Sequence, residues 1–70
     1  MNARQFKRKA QNVFLRRNPT AMIQGWVHQP RLVTYPTGVQ GWSGTFYAVA
    51  EGYRPRIMIA DGDDTYVMVR

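Results

Sequence analysis

Arg4, Lys7, Arg8, Lys9, Arg16 and Arg17 all fall within the first seventeen residues, and no Asp or Glu precedes Glu51. A run of cations without acidic partners at i+4 spacing creates a field that draws in phosphates or the acidic surface of another protein. The chain also carries 2 Trp, 4 Tyr and 3 Phe. Rings and cations together are how single-stranded nucleic acids are held: bases stack on aromatic faces at about 1–3 kcal/mol each while Lys and Arg follow the backbone. On this reading the contact set for nucleic acid or an acidic partner is Arg4, Lys7, Arg8, Lys9, Arg16, Arg17, Arg31, Trp42, Tyr47, Arg54 and Arg56, with Tyr53 and Tyr66 as further stacking rings.

The inventory for catalysis is thin. Ser43, His28 and Glu51 are each the only residue of their type. A Ser-His-Asp triad would have to use two of these, and Ser43 lacks the strand-to-helix setting of a nucleophile elbow. Gly38, Gly41 and Gly44 lead into a strand, whereas phosphate-cradling glycine loops open a helix. Without Cys there is neither a disulfide nor a thiolate metal ligand, and one His excludes the usual structural zinc sets. Asp61, Gly62, Asp63 and Asp64 alternate carboxylates as calcium loops do. The chain then passes directly into strand residues, without the roughly twelve-residue loop and terminal Glu that such a site uses, so the segment reads as a turn. The expectation is a non-enzyme that needs no cofactor and no metal.

These residues must be positioned by a single small domain, 1–70. Its first part, 1–18, has a helical period. Asn2 can cap the first turn and Gln5 can reach back to it. Ala3, Phe6, Ala10, Val13 and Phe14 fall on one side, and Arg4, Arg8, Lys9 and Arg16 spread over the other. Pro19 ends the helix, and Arg16 and Arg17 suit its negative terminus. From 20 to 70 the period is that of antiparallel β structure. Five short strands are predicted, at Thr20–His28, Arg31–Tyr35, Thr45–Glu51, Arg56–Ala60 and Thr65–Arg70, with a turn at Gln29–Pro30 and a loop from Gly38 to Gly44. Thr45–Glu51 is apolar on both faces, as a central strand would be. In the last hairpin Ile57 and Ile59 are expected to share a face with Val67 and Val69 across an odd-numbered loop, Asp61 to Asp63. That places Arg56, Met58, Tyr66, Met68 and Arg70 together on a second, amphipathic face, a candidate partner interface.

The fold class is therefore α+β: an N-terminal amphipathic basic helix followed by about five antiparallel strands, as a helix-covered sheet or a small, partly open barrel. A domain this short buries only about 60% of the surface its unfolded chain exposes, which favours a homo-oligomer or a place in a larger assembly. No apolar run approaches the ~20 residues of a membrane-spanning helix, so no membrane is expected and the setting is expected to be intracellular, cytoplasmic. The net charge is +6, and all four acidic residues follow position 50. Two function classes fit. One is a non-catalytic nucleic-acid-binding accessory protein, for DNA or RNA, using the helix for phosphates and an aromatic and Arg-bearing sheet face. The other is a protein-interaction or structural subunit of a virion, ribosome or similar complex, or a small regulator docking on an acidic protein.

Overall fold

The structure, a computed structural model, describes residues 1–50 and 52–70. Helix α1 spans Ala3–Arg17. The Asn2 side-chain oxygen accepts from the Gln5 backbone N–H at 2.9 Å, and Gln5 Oε1 accepts from the Asn2 N–H at 2.9 Å. This reciprocal capping box satisfies two N–H groups that a helix start leaves without partners. At the other end the Asn18 backbone N–H and its Nδ2 both donate to the Phe14 carbonyl, at 2.9 and 3.1 Å. Pro19 follows and cannot donate to a further turn. Phe6, Ala10 and Phe14, four residues apart, form the buried stripe, while Ala3 and Val13 are half-buried at its margin.

Among the described residues four antiparallel strands follow, not five: β1 (Met22–Thr34), β2 (Gln40–Val49), β3 (Arg56–Gly62) and β4 (Val67–Val69). They lie in the order β1-β2-β3-β4, an open sheet with the helix on one face. The two strands expected on either side of Gln29–Pro30 are one. Its pairing with β2 shifts register between Ile23 and Gly25, between Trp26 and His28, and between His28 and Arg31. Pro30 sits in the last of these irregularities, where a missing N–H breaks no ladder bond. The expected loop at Gly38–Gly44 is also largely strand. The chain turns earlier, at Pro36–Gly38, with the Gly38 N–H donating to the Tyr35 carbonyl at 2.9 Å.

Gly44 lies within β2 because an aromatic ring occupies the space above it. A Cβ there would stand 2.9 Å from Trp26 Cζ3 and 3.1 Å from Pro30 Cα, and one at Gly41 would stand 2.5 Å from Tyr35 Cε2. Glycine in these places is a seat for a ring, and it erases the alternation that marks a strand in sequence. β2 is central, paired with β1 and β3. The Glu51 end of the strand expected at Thr45–Glu51 lies outside the described residues.

Phe46, on the helix side of β2, is fully buried. Phe14 meets it edge-on at 5.5 Å between ring centroids, and Trp26 lies at 4.9 Å. Ala48, Ala60, Val67 and Val69 complete the buried layer, with Ile23, Trp42 and Met58 half-buried against it. Small residues beneath the helix let it approach the sheet closely, so few large side chains are needed to fill the gap.

The last hairpin inverts the expected faces. Ala60 pairs with Val69, Asp61 with Met68 and Gly62 with Val67. The connection is thus Asp63–Tyr66, an even number of residues, and this moves every side chain of β4 to the opposite face. Val67 and Val69 share the helix side with Met58 and Ala60, whereas Ile57 and Ile59 share the uncovered side with Met68 and Arg70. The candidate interface is split: Arg56 and Met58 on the helix side, Met68 and Arg70 on the other, Tyr66 in the turn.

Asp63 sets this phase. Its Oδ1 accepts from the Thr65 backbone N–H at 2.8 Å, the Thr65 hydroxyl at 2.8 Å and the Tyr66 N–H at 3.0 Å. These bonds, the Thr65 N–H foremost, with Lys9 assisting, hold its carboxyl below the usual value of 3.8. Because the folded value is the lower one, the turn gains stability above pH 3.8 and loses it as pH falls through the depressed value. Amide hydrogen exchange at Tyr66 is expected to accelerate there on acidification, beyond its intrinsic pH dependence, and Asp63→Ala should abolish that excess. Gly62 is constrained as well. A Cβ at this position would overlap the Tyr66 carbonyl oxygen and stand 2.8 Å from Val67 Cα. Gly62→Ala is expected to cost about 1–3 kcal/mol in urea unfolding, as overpacking against backbone does.

Candidate nucleic-acid interface

The cations of α1 do not act as one set. Arg4, Arg8, Arg16 and Arg17 are exposed, while Lys7 and Lys9 are half-buried along its flanks. Lys7 Nζ donates to Gln29 Oε1 at 3.0 Å and lies 5.7 Å from the Trp26 ring centroid. Lys9 Nζ donates to the Asp64 carbonyl at 2.7 Å. The two lysines tie the helix to β1 on one side and to the β3–β4 turn on the other.

That turn brings acid to the N-terminal end of the helix. The Met1 amine stands 3.3 Å from Asp64 Oδ1. Asp61 meets Arg70 at 3.3 Å, and Asp63 is spent on its turn. Three carboxylates within one four-residue stretch, Asp61 to Asp64, therefore have three different partners. Among the described residues no group of three or more His, Cys, Asp or Glu side chains is placed to hold a metal ion. The positive field of the helix is offset at its start and retained at its end.

The C-terminal end of α1 opens on a cleft of about 330 Å³. Phe14, Ala48, Ala50 and Met58 supply an apolar lining, while Asn18, Tyr53, Arg54 and Arg56 add polar and aromatic groups. Arg16 and Arg17, in the last helical turn, immediately precede the Asn18 of its wall. Tyr53 is 66% exposed. Its backbone N–H donates to the Ala50 carbonyl at 3.0 Å, which fixes the connection from which the ring projects. The Arg56 guanidinium carbon stands 5.7 Å from the Tyr53 ring centroid. An exposed ring with a guanidinium beside it can take a flat base against one surface and a phosphate against the other.

The remaining candidates lie elsewhere. Arg31 and Tyr47 are on the sheet face away from the helix, with Tyr47 39% exposed. Trp42 is half-buried against the core on the helix side. The cations of the helix and the ring of Tyr47 thus look out from opposite sides of the molecule. The sequence carries no sign of Asn18 as a cleft wall; a helix-ending Asn before Pro signals a cap. No helix among the described residues is long and apolar enough to cross a membrane. No family model matches the chain, nor does any curated protein or solved structure.

Proposed function

We propose that the protein is a small, non-catalytic nucleic-acid-binding accessory protein, and that it grips a single strand at the C-terminal end of α1. One observation carries this reading: Arg54 and Arg56 line the cleft beside the exposed Tyr53, and the last helical turn, which carries Arg16 and Arg17, ends at the Asn18 of the same cleft. Four unit charges there outweigh the roughly half charge of opposite sign at a helix C-terminus. Phosphates would meet the guanidinium groups and one base would stack on Tyr53. A duplex hides its base faces, so single strands should bind more tightly at equal charge.

Fluorescence anisotropy with labelled single-stranded and duplex oligonucleotides across a salt series tests this. Four phosphate contacts predict a slope of log K against log salt of about −2.8 on a single strand, or about fifty-fold weaker binding at 200 mM than at 50 mM salt. A slope near zero, or equal affinity for duplex and single strand, would contradict the reading.

The interaction-subunit reading rests on a different surface. On the uncovered sheet face Ile57 is 53% exposed and, at its edge, Met22 is 71% exposed. Apolar groups left in water on an unpaired sheet layer are what a partner would cover.

A further inference from the structure

The sheet face away from the helix holds a second cluster of donors. In a regular strand His28 and Arg31, three residues apart, would point to opposite faces. The register shift between them puts both on the same face: His28 opposite Thr45, and Arg31 opposite Ser43. Thr45 and Ser43 are two apart on β2 and so share that face. The irregularity shapes a hollow of about 460 Å³, with Gln29 also in its wall. His28 Nδ1 and Thr45 Oγ1 are 2.9 Å apart, which orients the imidazole. With Nδ1 accepting from the hydroxyl, Nε2 carries the proton and is free to donate outward.

We infer that this hollow is a phosphoryl-binding niche, formed by Arg31, His28, Ser43 and Thr45. Arg31, His28 Nε2 and the Ser43 hydroxyl supply donors while Thr45 holds the imidazole, and a phosphoryl group presents several acceptor oxygens that match the planar fork of an arginine. No carboxylate is in its lining. The acid next along the row is Asp61, across from Ser43 on β3, and Arg70 holds it at 3.3 Å. The niche is on the other side of the sheet from the helix-end cleft, and it stands whether or not that cleft binds nucleic acid.

The test is a ¹H–¹⁵N titration of the whole protein with inorganic phosphate, at an ionic strength held constant with chloride. The niche predicts saturable shifts at the amides of His28, Gln29, Arg31, Ser43 and Thr45. Arg31→Gln, at an exposed position where folding is not at stake, should weaken saturation by at least about tenfold, as loss of a charge-assisted pair does. Arg54→Gln, at the other site, should change it less than about twofold. A second arm compares a dinucleotide with and without a 5′-phosphate. Shifts from the phosphorylated form alone assign the niche to a terminal phosphate, equal shifts from both to the internal phosphodiester, and shifts from inorganic phosphate only to the free ion. Absence of saturable shifts at these amides, or saturation that Arg31→Gln leaves unchanged, would overturn the inference.

Discussion

Phe46→Ala is expected to remove about half of the chain's folding stability at 25 °C. Phe46 is fully buried and is the ring on which both Phe14 and Trp26 rest. Truncating such a ring costs about 3–5 kcal/mol, for the lost transfer energy and the cavity left behind. A domain of this length has roughly 4–10 kcal/mol in all. Among the described residues only one other large side chain, Phe6, is as completely buried, so little remains to compensate. The neighbouring residue supplies the contrast. Tyr47 faces away from the helix, and Tyr47→Ala should cost under about 1 kcal/mol in the same urea or thermal unfolding followed by far-ultraviolet circular dichroism. Two adjacent substitutions of unlike cost thus test the layer.

The helix was legible because its signals are local. Asn2, Gln5 and Pro19 act within one turn, and Phe6, Ala10 and Phe14 recur at the helical period. The central strand was legible because Phe46, Ala48 and their neighbours are apolar on both faces. What failed did so for tertiary reasons. Pro30 reads as a turn, yet an edge strand with a bulge absorbs it. Gly41 and Gly44 read as loop because their role, seating the rings of Tyr35 and Trp26, depends on which strand lies beside them. The hairpin phase was inverted by the side chain of Asp63, whose three accepted hydrogen bonds make a four-residue connection preferable to the shorter one. One residue of difference there decides whether Ile57 and Ile59 join the core or face outward.

The candidate site was legible as residue types and not as a place. Arg16, Arg17, Arg54 and Arg56 were all recognisable as cations available for phosphate. That they come to one end of the molecule depends on α1 ending where β2 gives way to β3, which no local pattern encodes; only Arg54 and Arg56 line the cleft itself. Conversely Lys7 and Lys9, the most conspicuous part of the basic run, are tied into the fold through Gln29, Trp26 and Asp64. Removing them would report on the seating of the helix as well as on any ligand. The outer cations at the start of the helix, Arg4 and Arg8, have no such ties among the described residues and provide the proper comparison.

Changing Arg16, Arg17, Arg54 and Arg56 together to Gln is therefore expected to have the largest effect on binding of any surface change. All four are exposed, so the fold should persist, with circular dichroism and the unfolding midpoint close to those of the parent. Each phosphate contact on a single strand contributes a slope of about −0.7, and four contacts at 50 mM salt correspond to about a thousandfold or more in affinity relative to 1 M salt. The variant should lose most of that, and its slope should fall from about −2.8 toward zero. Arg4→Gln with Arg8→Gln removes half as many charges from the other end and should lower affinity by no more than several-fold.

The most direct measurement is the salt slope of single-strand binding for these three proteins side by side. A flattened slope for the helix-end variant, with a near-parental slope for the Arg4 and Arg8 variant, is the predicted result. A parental slope for a folded helix-end variant would contradict the account, and would place any nucleic acid on another surface of the molecule.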